Sequence, residues 1–500
     1  MLKVLGSSKR LCDRVSRREV LRVGGLGMFS LGLDDLWGLQ SIQAAEAAHA
    51  ATFGRAKRVI LLYLYGAAAQ HELYDLKPEA PAEIRGKFQP IDTAAGGIQI
   101  CEHLPRLARI ADRVTFVRSM THPYNIHSAA YTLTGVEKVD IPMELGPYDS
   151  RHWPFFGSVV DYLRQRANPL APPPAVPRNI GLPFQFSSRS PQFTRGGPYG
   201  GFLGRAYNPV WTEFEGSAQQ SVNRWIGTQD VSTPEPYLGI ASDCRFDVSD
   251  AARLRPELTL DRLNQRRTLL QQFDDQRRAL DESPAVRSLD RFKSMAYSLI
   301  AAPEIRRALD VSQEPAALRE QYGMTLFGQA TLAGRRLLEA GATVVSVFWD
   351  EIQSANSAWD THFYHYERLQ HELLPGLDSA LSALILDLEA RGMLDDTLVL
   401  CLTEHGRTPK ISQTARGAGR EHWSDVYSNL LAGAGIARGR VLGASDKQGA
   451  FVKDDPISPK DILCTIYHLL GVDPQTTIPD RLGRPFRLVA EGEVLHRILG

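Results

Sequence analysis

A chain of 500 residues exceeds the size at which a single hydrophobic core usually stops growing, so it holds either one large domain with insertions or two domains. Its 43% hydrophobic and 23% charged residues exclude a disordered or membrane-embedded polymer. Lysine plus arginine equal aspartate plus glutamate at 57 each, so no global field draws the chain to nucleic acid or anionic lipid.

The first element in chain order is an address. Ser16-Arg17-Arg18-Glu19-Val20-Leu21-Arg22 precedes a mildly apolar, glycine-rich stretch from Gly24 to Leu33, and the small-residue sites Ala45-Glu46-Ala47 and Ala48-His49-Ala50 follow. A basic region, a short apolar region and an A-x-A site make a secretory signal, and the paired arginines match the twin-arginine type. The apolar stretch is too short to span a bilayer comfortably. Residues 1–50 are therefore expected to be an export signal that delivers the protein to the periplasm or beyond, with the mature chain starting near Ala48 or Ala51.

Lys57 to Tyr65 is a continuous apolar run after a basic start, the pattern of a strand buried on both faces. A loop from Gly66 to Pro78 follows, then helical spacing over Leu104 to Ala111, a short strand over Val114 to Val117, and a helix start over Ser128 to Thr134. From about Asn168 to Gly200 prolines crowd together (Pro169, Pro172, Pro173, Pro174, Pro177), which predicts a long extended connection rather than packed core. Residues 250 to 300 carry Leu260, Leu263, Leu269 and Leu270 on one helical face and predict a helical insertion over the sheet.

An α/β rhythm resumes at Thr325. A helix over Leu326 to Ala340 leads to the strand Ala342 to Phe348, and a helix over Leu373 to Arg391 ends at Gly392. Thr397 to Leu402 is a β-branched, apolar strand, and Ile462 to Leu470 is a further helix. This alternation predicts a parallel sheet covered on both sides. The five cysteines have no CxxC spacing and support no disulfide framework, and Cys401 and Cys464 lie in apolar runs as buried thiols.

Ligands of open α/β sheets bind beyond the carboxyl ends of strands, and four segments fit that place. Thr403-Glu404-His405-Gly406-Arg407 follows a strand directly, so a carboxylate and an imidazole can turn toward one cation. Trp359-Asp360-Thr361-His362 puts Asp and His two apart, with His365 and His371 expected on the next helix facing solvent. Arg420-Glu421-His422-Trp423 sets a histidine beside a large apolar anchor, and Gln70-His71-Glu72-Leu73-Tyr74-Asp75 forms the loop after the first strand. Asp360, His362, Glu404, His405 and His422 supply enough nitrogen and oxygen ligands for two cations, an arrangement able to clamp an anionic ester.

Glu404-His405-Gly406 resembles the Asp-His-Gly signature of the alkaline phosphatase and sulfatase superfamily, with His422 matching its last metal ligand. More closely, the chain resembles the family catalogued as domain of unknown function 1501, through "YDLKPEAPAEIRGKFQPI", "HSAAYTLTG", "WDTH", "LVLCLTEHGRTPKI", "GREHW" and "TIYHLLGVDPQTTIPDRLGRPFRL". The resemblance covers nearly the whole mature chain except about 170 to 320.

It implies an alkaline phosphatase-like α/β three-layer sandwich over residues 51–490, with a large, mostly parallel central sheet, an inserted cap near 168–320, and a tail over 491–500. It also implies divalent metal ions, up to two, drawn from Zn, Ca, Mg or Mn. One site would use Asp360, His362 and His422, and the other Glu404, His405 and a first-loop carboxylate, Glu72, with His71 as the alternative ligand. Glu72 stands where relatives carry Asp.

In the superfamily a Ser, Thr or modified Cys lies nine residues before the Thr of a Thr-Gly pair. Here that pair is Thr134-Gly135 and the position holds Asn125, a catalytic candidate that can bind a metal or hydrogen-bond an oxyanion but cannot form a covalent phospho- or sulfo-enzyme. C-x-P-x-R is absent. Ser128 nearby reads as a small helix residue, while His127 is placed as a general base or further ligand, and Arg407 and Arg420 as holders of the anionic group. The expectation is an exported metal-dependent hydrolase of a sulfate, phosphate or related ester that uses activated water. Its alternative is a non-catalytic metal-binding envelope protein that recognises a glycan or protein partner. Nucleic acid finds no basic stripe to bind.

Overall fold

The computed structural model describes residues 51–136, 140, 144–169, 171, 174–190, 194–226, 229–248, 291, 303–352, 358–480 and 482–500. The segments expected to be an export signal and, Arg291 apart, a helical insertion from 250 to 300 lie outside these residues.

The apolar run after Lys57 forms β1 (Arg58–Leu64). Because successive side chains of a strand point to opposite faces, Ile60, Leu62 and Leu64 enter one core while Val59, Leu61 and Tyr63 enter a second. A strand apolar at every position therefore has to be covered twice.

The other strands of its sheet are β2 (Val114–Met120), β3 (Asn179–Leu182), β4 (Val210–Glu215), β5 (Arg245–Val248), β6 (Val344–Trp349), β7 (Thr397–Leu402), β8 (Tyr427–Ala432) and β9 (Arg440–Leu442). They lie in the order β9-β2-β8-β7-β1-β6-β3-β4-β5. β1 pairs in parallel with both β6 and β7, β6 with β3, β3 with β4, and β9 with β2. Only β8 and β5 run against the others.

Five helices supply much of the cover. Leu332, Ala333 and Leu337 of a helix over Leu326–Glu339, and Leu377, Leu381 and Leu384 of another over Leu374–Ala390, fill the core beside Ile60 and Leu62. On the opposite face, α1 (Ala129–Thr134), α2 (Phe156–Ala167) and a helix over Pro459–Leu469 pack Leu133, Val159 and Ile466 against Val59 and Leu61. The last helix starts on a reciprocal capping box between Ser458 and Asp461. The result is the expected three-layer α/β sandwich with a mostly parallel sheet. Among the described residues no helix is long and apolar enough to cross a membrane.

One expectation is corrected. The proline-rich segment is not only a connection, because it delivers β3, a four-residue strand buried at every position between β6 and β4. Asn-Ile-Gly-Leu is too short to show a period, so its strand state comes from its neighbours. β4 and β5 lie in the inserted region as well, which therefore extends the central sheet.

The topology also sets the place of the chemistry. β1, β6 and β7 are adjacent and parallel, with Leu64 opposite Trp349 and Tyr63 opposite Leu402, so the loops after all three leave from one edge. β2 runs in the same direction, through its shared antiparallel neighbour β8, and adds residues 121–128 to that edge.

Candidate metal centre

Two sets of donor atoms converge there. His127, Asp360, His362 and His422 form one, and His127, Glu404 and His405 the other, with the ligand atoms of each set within 4.8 Å of one another. Five of the six residues read from the sequence as metal ligands are thus brought together, with His127 shared between the sets.

Glu404 and His405 are set by the end of β7. The Thr403 hydroxyl donates to the Leu64 carbonyl at 2.9 Å and accepts from the Ala68 amide at 3.0 Å, which ties this loop to the one after β1. The Gly66 amide then donates to Glu404 Oε1 at 2.6 Å. His405 Nδ1 donates to the carbonyl of Gly406 at 2.8 Å, leaving Nε2 as a bare lone pair, fully buried and without a hydrogen-bond partner. Burial, then the charges of His127 and Arg407, hold its pKa well below the ordinary value. A buried, neutral imidazole with its acceptor nitrogen unused is the form in which histidine binds a metal.

The other set is crowded in the same sense. His362 Nδ1 meets the Glu421 carboxylate at 2.5 Å. Its Nε2 lies 3.0 Å from His422 Nε2 and 3.0 Å from Asp360 Oδ1. Two ring nitrogens and a carboxylate oxygen facing one another repel unless a proton or a cation lies between them. Tetrahedral bonds of about 2.0–2.1 Å would set such donors roughly 3.3 Å apart. The residues present therefore fit divalent metal ions.

His127 links the two sets. Its Nδ1 lies 2.8 Å from Glu404 Oε1 and its Nε2 3.4 Å from Asp360 Oδ1. Burial works against its charge, but Asp360 and Glu404 outweigh burial and raise its pKa to about 9. Asp360 is pushed up by burial yet held well below the usual carboxylate range, by Arg407 first and His127 next. An imidazolium thus sits between two carboxylates, where a divalent cation would compete with it.

The remaining sequence-derived residues fall elsewhere. Glu72 belongs to neither donor set: Arg420 Nη2 donates to it at 2.6 Å, and His365 Nε2 lies 3.3 Å away. Its carboxyl is held down at about 2, with Arg420 and His365 overcoming burial. The expectation of Glu72 as a metal ligand is corrected on this geometry. Its carboxylate is taken up by Arg420 and stands outside both donor sets. His71, the alternative, points Nε2 at the Gln448 carbonyl, 2.8 Å away. His365, expected to face solvent, is fully buried against Glu72, whereas His371 is exposed.

Arg407 and Arg420 do not present themselves to an incoming anion. Arg407 is fully buried, donating to the carbonyls of Ala67, Arg420 and Gly66 and to Asp360. Arg420, equally buried, donates to Glu72 and to the carbonyls of Thr408, Pro409 and Ile84. Arg407, expected to hold the anionic group, is paired with Asp360 in this structure. Asn125 is exposed, and its Nδ2 donates to the His422 carbonyl at 3.1 Å. Ser128 caps α1 by accepting from the Tyr131 amide.

Sequence reasoning missed three residues. Glu421 orients the His362 ring, a role that conserves tautomer and direction in metal sites; a carboxylate beside His422 was its signal. His122 carries no such signal: its Nε2 meets the Glu404 carbonyl at 2.6 Å, and its Nδ1 accepts from the Tyr124 amide. Glu144 accepts from Ser128 Oγ at 2.8 Å, and burial pushes its pKa up to about 7.

Gly66 shows how tightly the two loops close. It sits at φ +106°, and a Cβ there would come within 2.3 Å of the Asp360 amide nitrogen. Gly66→Ala is expected to displace Asp360 and cost at least one bound metal ion per chain, although no donor atom is removed. Metal analysis of the folded variant checks this, and full retention would show that the close approach does not set Asp360.

The model of a family described as protein of unknown function (DUF1501) matches residues 56–499. No curated protein matches the chain. Among solved structures, the PsFucS1 sulfatase from Pseudoalteromonas sp. is 13% identical, with 86% of this chain and 72% of that one covered at a TM-score of 0.37. The phosphonate monoester hydrolase of Agrobacterium radiobacter is 11% identical, with 88% and 77% covered at 0.39. That of Silicibacter pomeroyi, SpPMH, is 13% identical, with 89% and 76% covered at 0.34.

Proposed function

The chain belongs to the DUF1501 family, and from that premise we propose that it is an exported, metal-dependent hydrolase of a phosphate, sulfate or related ester. The observation that carries the reading is the convergence of ligand-type donor atoms: the orphaned His405 Nε2, and the His362 and His422 nitrogens facing Asp360. Asp360, His362 and His422 would hold one ion and Glu404 with His405 another, His127 lying between them. Such ions supply Lewis acidity toward an anionic ester and ease the ionisation of water at neutral pH.

The chain's own residues do the rest. Asn125 offers no covalent nucleophile, so water is the attacking group. Its oxygen bonds to the phosphorus or sulfur, the bond from that atom to the ester oxygen breaks, and the alcohol leaves with a proton. His127, within hydrogen-bond reach of Glu404, is the group placed to hold or pass that proton. Arg407 keeps Asp360 ionised and aimed. The export signal expected at Ser16 to Arg22 supports action outside the cytoplasm.

The test is metal content and hydrolysis of aryl phosphate and aryl sulfate by the purified mature protein. Two divalent ions per chain and turnover of either ester are the expected result. A protein that binds no metal after supplementation overturns the reading. One that binds metal and hydrolyses nothing is the non-catalytic envelope protein instead.

A further inference from the structure

We propose that Arg195 is the residue that grips the tetrahedral anion of the substrate, an inference that rests on the hydrolase reading and names a contact for that site. The loop after β3 leaves from the same sheet edge as the metal-centre loops, because β3 is parallel to β6. Its backbone is clamped on both sides of the arginine. The Arg195 amide donates to Ser187 Oγ at 2.7 Å, while the Ser187 amide donates to the carboxylate of Asp350, just after β6. The neighbouring Gly196 amide donates to the Glu144 carbonyl at 2.6 Å.

The side chain packs on an aromatic ring that also borders the centre. The Arg195 guanidinium lies over the ring of Tyr65, 5.7 Å from its centroid, and the same ring packs against His127, also at 5.7 Å. Tyr65 follows β1 directly and is itself fixed edge-on by Phe186. Glu144, Glu351 and Glu404 all act on the guanidinium through space.

What sets Arg195 apart from Arg407 and Arg420 is a donor that is not used. Its Nε is buried without a hydrogen-bond partner, and among the described residues no carboxylate lies within ion-pair distance of it. Arg407 and Arg420, by contrast, are engaged by carbonyls and carboxylates. Desolvating a guanidinium donor without a partner is costly, and a planar fork of N–H groups matches two oxygens of a phosphoryl or sulfuryl group. The aromatic floor keeps the fork in place at little entropic cost. The structure thus places a guanidinium with an unsatisfied buried donor on the same aromatic ring that packs against His127, and the ligand its fork fits is a tetrahedral oxyanion.

The experiment is calorimetric titration of inorganic phosphate, and separately of inorganic sulfate, into metal-loaded protein, with metal content and thermal unfolding followed alongside. The wild type is expected to bind at least one of them, and the stronger of the two identifies the ester class. Arg195→Gln is expected to weaken that binding by about ten- to a hundredfold, the worth of hydrogen bonds from a charged donor, with metal content unchanged. Arg195→Lys should fall between them, since it keeps the charge and loses the fork. Wild-type affinity in Arg195→Gln overturns the assignment and leaves the metal centre standing. Loss of metal together with the anion also overturns it, by showing that Arg195 acts through the centre. A metal-loaded wild type that binds neither anion removes the hydrolase reading itself.

Discussion

Replacing His405 with alanine is expected to remove one divalent ion per chain and leave the other, and replacing His422 is expected to do the converse. The two histidines belong to different donor sets that share only His127. His405 is fully buried, its Nδ1 committed to the Gly406 carbonyl and its Nε2 free of any protein partner. Alanine there leaves Glu404 as the one donor of that set not shared with the other, too few to hold a structural or catalytic ion well. His422 lies against His362 and Asp360, so its loss leaves the other set untouched. Hydrolysis should fall by more than about a hundredfold in each, beyond the effect of losing an outer-shell partner. Elemental analysis of the two single variants and of the double variant decides it. Both ions lost from either single variant would mean one coupled centre, and both retained would place that histidine outside it.

The second large effect is on stability. Arg420→Met is expected to cost about 3–5 kcal/mol, the usual penalty for stranding a buried charge. Glu72 and Arg420 are both fully buried, and Arg420 also ties together the carbonyls of Ile84, Thr408 and Pro409. The pH dependence has a definite sign. The Glu72 carboxyl is depressed from its ordinary 4.5 to about 2, so its contribution is fully present above pH 4.5 and is lost as pH falls toward 2. Glu72→Gln should abolish that part of the acid sensitivity while keeping the full metal content. Denaturant unfolding between pH 2 and 6 with metal analysis at neutral pH tests both halves. A fall in metal content in Glu72→Gln would restore Glu72 to the coordination shell.

The donors were legible because of where they stand in the chain. Glu404 and His405 come directly after an apolar strand, and Asp360 and His362 are two apart in a loop, so local order alone shows a cation-binding composition. Glu72 had the same apparent credentials, a carboxylate in the loop after the first strand, and lies elsewhere. Nothing local distinguishes a carboxylate that faces a metal from one that faces Arg420, which is 348 positions away. Arg407 misled for the same reason. An arginine beside a ligand pair reads as an anion holder until the carbonyls of Gly66 and Ala67, brought across by β1, are seen to engage it.

The sequence by itself determined the layers and the edge. Runs such as Val-Ile-Leu-Leu-Tyr-Leu and Thr-Leu-Val-Leu-Cys-Leu can be buried only on both faces, and the helical periods between them supply the two covers. Parallel strands joined by helices then send their following loops to one end. The tertiary structure alone decided which side chains in those loops meet, since a loop residue's direction is set by contacts with segments hundreds of positions distant. It decided as well that Asn179–Leu182 is a strand, because four residues carry no period and their state comes from pairing with β6 and β4. And it singled out Arg195, unremarkable in a proline- and glycine-rich stretch, because an unused donor can be recognised only once every neighbour is in place.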